Sequence, residues 1–365
     1  MSDEFQIRKD NFETHRVVEA GANNEARDLA DDQIRVSVER FAFTANNISY
    51  AATGDQLGYW QFFPPTGSDT DGWGMMPVWG FAEVMQSNVS DVPVGDRLFG
   101  YFPPASHLDI TPTHISPLRL VDGAEHRAKL PQGYNTYYRV KAEPGYDMAN
   151  DDLRMLLWPL HITSFCLWDV LQDNNWYGAK QVIIVSASSK TSIGLAYALD
   201  DDATSPPAVA ITSKRNLDFV TGLGLYEQSL TYESLEAIDM TIPSVIVDMS
   251  GNGEVLGRLH SLLGDNMIRC INVGLTHWDE GLSGEGIIRE RSEFFFAPTH
   301  IQRRMQDWGP DGFAERTSTF MQETALKSRG WLTLKKIDGL QGLADIYSDV
   351  CKGRVAADQG LIVEL

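Results

Sequence analysis

The sequence predicts an α/β protein: a turn-rich β domain followed by a domain built on a parallel, doubly wound sheet. Three observations carry this reading. Proline and glycine punctuate the first part of the chain at short intervals (Pro64-Pro65, Gly72, Gly74, Pro77, Gly80, Pro93, Gly95, Pro103-Pro104), a density that favours short strands and turns over helices. Beyond it, the apolar runs Gln181–Val185, Ala208–Ile211, Ser244–Val247 and Ile268–Val273 recur with amphipathic segments between most of them. Continuous apolar runs mark strands buried on both faces, and strands alternating with helical crossovers make a parallel sheet. Finally, the chain ends in the strand-like Leu361–Leu365, which must pair with some sheet.

The elements follow in order. From Ile34 to Ala42, Ile34, Val36 and Val38 alternate with Arg35, Ser37 and Glu39, the two-residue period of a half-buried strand. Val78–Met85 and Arg97–Phe102 are further short segments between turns. Near Asp151 the pattern changes. Leu160, Ser164, Leu167, Trp168 and Leu171 share one helical face, and Pro159 suits the first turn, where its missing N–H has no partner to lose. The strand Gln181–Val185 leads through small residues, Ser186 to Ser192, into a helix from about Ile193 to Leu199. Glu293–Phe296 is one more apolar run, residues 311–329 read as a long helix, and Leu340–Cys351 as a helix within the tail.

Composition bounds the function. At 365 residues, 43% hydrophobic and 22% charged, the chain is of globular composition and of a length that suits two domains. Thirty basic against 50 acidic residues give a net charge of −20, which repels phosphate backbones and anionic lipid, so neither nucleic acid nor membrane is expected as a partner. There is no apolar run long enough to span a bilayer, and the charged start MSDEFQIRKD does not read as a signal peptide. Cys166, Cys270 and Cys351 are odd in number and far apart, forming neither a disulfide framework nor a metal cluster. His107, His114, His126 and His161 show no ligand spacing, so no metal is expected. A cytoplasmic, reduced protein of enzyme size is the resulting expectation.

The most informative segment is the turn after Gln181–Val185, Ser186 to Ala196 (SASSKTSIGLA). A strand that feeds a helix through small residues presents backbone N–H groups at a helix N-terminus, a geometry that binds a pyrophosphate. The usual fingerprint has three glycines; here only Gly194 remains, with Ser188, Ser189, Lys190, Thr191, Ser192 and Ile193 around it. The alternative is an ordinary strand-to-helix turn with a serine N-cap. At the end of the next strand, where an NAD site carries an acid for the ribose 2′-hydroxyl, the chain has Ser213, Lys214 and Arg215. Two bases there suit a 2′-phosphate and hence NADPH, with Arg215 the better fork. The alternative is a solvated helix start, although bases carry the wrong sign for that end.

Order and spacing resemble the medium-chain dehydrogenase/reductase superfamily over nearly the whole chain, closest to its zinc-independent quinone-oxidoreductase-like and enoyl-reductase-like branches. Ile34–Ala45 followed by Asn46-Asn47-Ile48 resembles its strand and catalytic turn. Gly80-Phe81-Ala82-Glu83-Val84 and Val94 to Gly100, with Gly95-Asp96-Arg97, are similar to its glycine and Gly-Asp-Arg stretch. Leu160 to Ser164 resembles the entry to the nucleotide domain, and Gly339 to Val355 with the last strand resembles the tail. The departures are the missing loop glycines, the length after Phe296, and Asn47 and Ser49 at the catalytic turn; the SASSKT loop resembles the mark of an uncharacterised subfamily of that superfamily.

The resemblance implies a GroES-like β domain (1–156), a Rossmann domain (157–300), and a helix and tail (301–365) returning to the first domain, with substrate in the cleft between the domains. It also implies that Thr163 meets the nicotinamide amide and that Val273 and Gly274 lie against its ring. Zinc relatives place a cysteine at the catalytic turn, where this chain has Thr44 to Tyr50. Without zinc, a carbonyl oxygen or enolate needs hydrogen-bond donors, and the candidate catalytic residues are Tyr50, Asn47 and His161. Each has a structural alternative: Tyr50 as core, Asn47 as a turn cap, His161 as a satisfied polar group. Tyr59, Trp60, Phe62, Phe63, Trp73 and Trp79 supply either an apolar substrate wall or β-domain core. The expected function is NADPH-dependent hydride transfer to an activated alkene, quinone or carbonyl on an apolar small molecule. A non-catalytic dinucleotide-binding relative, sensor or structural, is the alternative, and a non-redox lyase or isomerase a third. A homodimer joined at the Rossmann sheet edge, within Val273 to Phe296, is the expected assembly.

Overall fold

The computed structural model describes residues 2–20, 28–66, 69–273 and 286–365. Contacts divide the chain into two units, Met1–Leu156 with Thr333–Leu365, and Leu157–Leu332.

The first unit opens with β1 (Ser2–Arg8) and β2 (His15–Ala20), an antiparallel pair that composition conceals. Phe5 and Ile7 are buried, but so are Glu4 and Gln6, which alternate with them. The Glu4 carboxylate accepts from Gln6 Nε2 at 2.7 Å and from the Thr66 N–H at 3.1 Å, so the strand reads as polar yet is interior. Next come β3 (Ile34–Phe43) and α1 (Ala45–Ala52), then β4 (Trp73–Gly74), which joins β1. The remaining strands are β5 (Val78–Ser87), β6 (Arg97–Phe102), β7 (His107–Ile110), β8 (Pro112–Thr113), β9 (Arg119–Asp122) and β10 (Thr136–Arg139). They run in the antiparallel order β3-β5-β6-β10-β9-β8, with β7 also paired to β3.

The Gly-Asp-Arg triplet has an architectural reason. Gly95 takes a positive φ of 83°, which glycine adopts without strain. Asp96 accepts from Arg139 Nε at 2.6 Å. Arg97, 2% exposed, is fixed by Glu39 and Asp151, both at 2.6 Å. A buried guanidinium persists only when paired on this scale.

The boundary between the units falls within α2 (Asp151–Asp173). Pro159 lies inside this helix rather than at its start. The helix begins instead at a pair of acids, Asp151 and Asp152, which suit the positive end of its dipole.

The second unit continues with β11 (Gln181–Val185), α3 (Lys190–Asp201), β12 (Ala208–Thr212), α4 (Leu217–Gly222), β13 (Gln228–Thr231), β14 (Ser244–Asp248), α5 (Gly253–Leu263), β15 (Met267–Asn272) and β16 (Ser292–Phe294). All of its strand pairings are parallel, in the order β13-β12-β11-β14-β15-β16. This is the doubly wound order, whose direction reverses between β11 and β14; ligands bind at the carboxyl ends of the strands beside such a reversal. Leu167, Leu171, Leu195 and Leu199 pack on one face of the sheet, and Leu256, Leu259 and Leu263 on the other.

The long helix α6 (Ala297–Ser328) starts well before residue 311 and bends at Gly309, φ 72°, ahead of Pro310. Hydrophobic periodicity misses its first half because its buried face is polar. His300 and Arg304 both meet Asp169 at 2.6 Å, and Thr317, Thr324 and Ser328 continue the face.

The segment 301–365 therefore divides. The helix belongs to the second unit, and only Thr333–Leu365 counts with the first. That tail is β17 (Thr333–Asp338), α7 (Gly339–Cys351) and β18 (Gln359–Glu364). Leu361–Val363 are buried as β18 pairs antiparallel with β3, Leu361 opposite Phe43, and parallel with β17.

Candidate active site

In the second unit the turn between β11 and α3 is built by its own hydroxyls. Ser189 is the N-cap of α3, its Oγ accepting the Ser192 N–H at 3.1 Å and donating to Ser192 Oγ at 2.8 Å. Ser192 Oγ donates in turn to the Ser186 carbonyl at 2.9 Å. Ser186 takes a left-handed φ of 63°, a conformation for which glycine is the usual residue, while Ser189 is at −70°. The serines thus hold the turn closed. Ser192, Ile193 and Gly194 are buried, so their side chains present nothing to a ligand.

The one remaining fingerprint glycine has a packing role. A Cβ on Gly194 would lie 2.6 Å from Ser164 Oγ and 2.7 Å from His161 Cδ2, so its absence lets α3 approach α2. Lys190 and Thr191 form the first turn of α3, half-buried at the carboxyl edge of the sheet.

The basic turn lies beside this one. Ser213 follows β12, and Lys214 and Arg215 are exposed in a 3₁₀ turn. Asn216 Nδ2 donates to Ser188 Oγ at 2.9 Å, and Thr212 Oγ1 donates to the same oxygen at 3.3 Å. Ser188 therefore ties the helix N-terminus to the basic turn. These residues fit a phosphorylated dinucleotide: a positive helix end, Lys190 on its first turn, and two exposed bases at the next strand end.

Val273 follows β15, its N–H donating to the Asp248 carbonyl at 2.8 Å. Gly274 lies outside the described residues. Thr163 is half-buried on α2, its Oγ1 donating to the Pro159 carbonyl at 3.4 Å.

His161 is not placed to act on a substrate. It is 1% exposed beneath the start of α3, its Nδ1 2.9 Å from Thr324 Oγ1, and burial pushes its pKa down to about 3. It stays neutral and sealed at ordinary pH.

Asp248 is a residue that sequence reasoning missed. It ends β14 fully buried, accepting from Ser250 Oγ at 2.6 Å and from the N–H groups of Ser250 and Gly251 at 2.9 and 3.0 Å. Burial outweighs these bonds and raises its pKa to about 6. The available signal was an acid closing an otherwise apolar strand, Ser244–Asp248.

In the first unit, Asn47 is a cap. Its Oδ1 accepts the Thr44 N–H at 2.8 Å and its Nδ2 donates to the Pro77 carbonyl at 2.9 Å, completing a capping box at the start of α1. With its amide committed and 4% exposed, it does not offer a substrate donor.

Tyr50 belongs instead to a cluster of four tyrosines. Its ring lies 4.5 Å from that of Tyr59 and 5.7 Å from that of Tyr101, and Tyr101 is 4.7 Å from Tyr134. The Tyr59 and Tyr134 hydroxyls are 3.1 Å apart. The Tyr101 hydroxyl is fully buried and makes no well-formed hydrogen bond among the described residues. Burial raises the pKa of all four, so each keeps its proton. Buried phenols held protonated are donors, suited to an oxyanion or to protonating an enolate, and unsuited to a general base's role. Of the aromatic wall, Trp60, Phe62, Phe63 and Trp79 are core, with Phe62 5.2 Å from Tyr101. Among the described residues no group of three His, Cys, Asp or Glu could hold a metal ion.

A family model described as "Protein of unknown function (DUF2855)" matches residues 41–356. No curated protein sequence matches the chain. Among solved structures it is similar to CurA from Vibrio vulnificus, at 10% identity and TM-score 0.60 over 100% of this chain and 98% of that one. It is also similar to the complex of CurA from Vibrio vulnificus with NADPH, at 11% identity and TM-score 0.58 over 96% of this chain and 94% of that one. For the CurK enoyl reductase the figures are 12%, 0.53, 100% and 99%. At such identities the likeness shows the fold alone: a β-rich unit and a unit built on a parallel sheet, as in those structures.

Proposed function

The chain belongs to the DUF2855 family, and for this member we propose an NADPH-dependent oxidoreductase that reduces an activated alkene, quinone or carbonyl on an apolar small molecule. The observation that carries the reading is the tie from Asn216 through Ser188, which sets Lys214 and Arg215 beside the N-terminus of α3. NADPH, when bound, supplies a hydride. Lys190 and the first turn of α3 would hold its diphosphate, and Ser213, Lys214 and Arg215 its 2′-phosphate. Val273, at the end of β15, fits a place against the nicotinamide, and Thr163 one at its amide. In the first unit, burial keeps the tyrosine cluster protonated at its hydroxyls. Two of the similar structures, an enoyl reductase and a complex with NADPH, support this class of chemistry. We propose zinc independence on the ligand chemistry of the catalytic turn, Thr44 to Tyr50, which offers no thiol.

A non-catalytic dinucleotide binder is favoured by one observation: the serine hydroxyls fill the turn that glycines leave open in the usual fingerprint. The two readings separate on two measurements. NADPH fluorescence is titrated with protein, and turnover is followed with a quinone and enone panel after exhaustive chelation. Binding with chelator-resistant turnover supports the reductase, binding without turnover supports the second reading, and absence of binding overturns both.

We further propose a homodimer in a reducing compartment such as the cytoplasm. The support is three free cysteines, and β16 as the edge strand of the six-stranded sheet with Phe294 and Phe295 only half-buried. Light scattering coupled to gel filtration tests the dimer.

A further inference from the structure

The first unit holds a cavity of about 570 Å³, none of whose lining residues is assigned to NADPH. Phe62, Phe63, Met75 and Met85 supply its apolar wall. The first three are core, while Met85 is exposed, so the cavity meets solvent beside it. The volume lies within the range of small-molecule sites, whose pattern is apolar walls with a few placed polar groups.

The charges on the lining are uneven. Three carboxylates, Glu4, Asp109 and Asp122, stand against two guanidiniums, Arg35 and Arg127. Asp122 and Arg127 are both buried and pair with each other. Arg35 donates to both oxygens of Asp109, at 2.7 and 2.9 Å. Glu4 is left over: its oxygens accept from Gln6 and Thr66, which are neutral, and no cation pairs with it among the described residues. A buried charge with no counter-charge acts strongly on its surroundings, because the low local dielectric screens it little. The net charge of −20 on the chain has the same sign. The two guanidinium side chains, 9% and 1% exposed, offer little to a ligand, whereas that of Asp109 is 32% exposed. Arg35 takes one bond from each Asp109 oxygen, and an ionised carboxylate has about four acceptor sites, so this accessible acid can accept more. We infer that this cavity is a binding site for an organic cation, an ammonium group on an apolar body, its N–H donors on the Asp109 carboxylate and its charge balancing Glu4.

The test reads binding alone, on the full chain without NADPH. Because His107 and His126 also line the cavity, it is run at about pH 8, where an ordinary imidazole is uncharged. Methyl-¹³C methionine spectra are recorded with phenethylamine, with phenethyl alcohol as the uncharged isostere, and with phenylpropionate as the anion. The amine should shift the Met75 and Met85 methyl signals and bind at least about tenfold tighter than the alcohol, since a hydrogen bond between charged groups discriminates on that scale. Added salt should narrow that gap. Glu4→Gln removes the unbalanced charge at nearly constant shape and should bring the amine towards the affinity of the alcohol. Should that variant not fold, Gln86→Lys places a cation on the exposed lining, opposite Arg35 across the strand pair, and should weaken the amine by a similar factor. The site is overturned if the amine shifts neither methyl, or if a folded variant of either kind leaves its affinity unchanged. Equal or tighter binding of the alcohol or of phenylpropionate overturns the assigned charge.

Discussion

Gly194→Ala sets two measurable effects against each other. In a helix interior alanine is favoured over glycine by about 1 kcal/mol. Against this, the new methyl would sit 2.6 Å from Ser164 Oγ and 2.7 Å from His161 Cδ2. Neither neighbour can retreat at low cost. Ser164 Oγ donates to the carbonyls of Thr191, at 2.7 Å, and Leu160, at 3.2 Å, while the His161 ring is held against Thr324 Oγ1 at 2.9 Å. Overpacking a filled core costs about 1–3 kcal/mol, and two pinned neighbours put this site in the upper half of that range. The net expectation is a loss of about 1–2 kcal/mol, or about 2–8 °C in melting temperature for a domain of this size. Thermal unfolding followed by circular dichroism, without cofactor, measures it. The double variant Ser164→Ala/Gly194→Ala removes the hydroxyl but leaves the imidazole, and should recover part of the loss. A Gly194→Ala protein that melts at or above the wild type would mean that helix propensity wins and that the glycine is not kept for close packing.

The other predictions concern the ligand sites and pH. Arg215→Ala should weaken NADPH binding at least about tenfold, since charge-assisted hydrogen bonds contribute about 1.5–3 kcal/mol, and should leave NADH binding unchanged; equal wild-type affinity for the two cofactors sinks the 2′-phosphate assignment. Tyr101→Phe should leave the melting temperature level or higher, because the buried hydroxyl has no well-formed bond to lose; a clear fall in melting temperature would show that the hydroxyl is engaged. Asp248 has a folded-state pKa raised from 3.8 to about 6, so the folded protein holds that proton more tightly than the unfolded chain. Its stabilising effect is complete below about pH 4 and is lost as pH rises to about 6, a change on the order of 3 kcal/mol. Asp248→Asn should therefore gain stability relative to wild type across that window in urea unfolding at stepped pH; parallel curves for the two proteins refute the shift.

Much of this was legible in the chain. The apolar runs of β11, β12, β14 and β15 predicted the parallel sheet because strands buried on both faces leave no polar side to disguise them. The final strand was legible for the same reason, and Ser213-Lys214-Arg215 stands out as a candidate because two bases occupy the strand end where the dinucleotide fold places an acid. What periodicity could not reach was polar burial. β1 hides behind Glu4 and Gln6, and the first half of α6 behind His300 and Arg304, because hydrogen bonds and ion pairs pay for their desolvation and leave no hydrophobic signal.

The candidate residues sort by the same physics. The sequence by itself determined which residue types meet at the strand ends: small hydroxyls, a lone glycine, a basic pair, and tyrosines after β3. Only the tertiary structure decided what each one touches. Asn47 is committed to the Thr44 cap, His161 is sealed at the start of α3, and Gly194 is a packing contact. Tyr50 meets Tyr101 and Tyr134, far along the chain. Hydrogen-bond commitment and desolvation depend on neighbours distant in sequence. Composition and spacing can therefore nominate a donor, but only packing shows whether its hydrogen is already engaged.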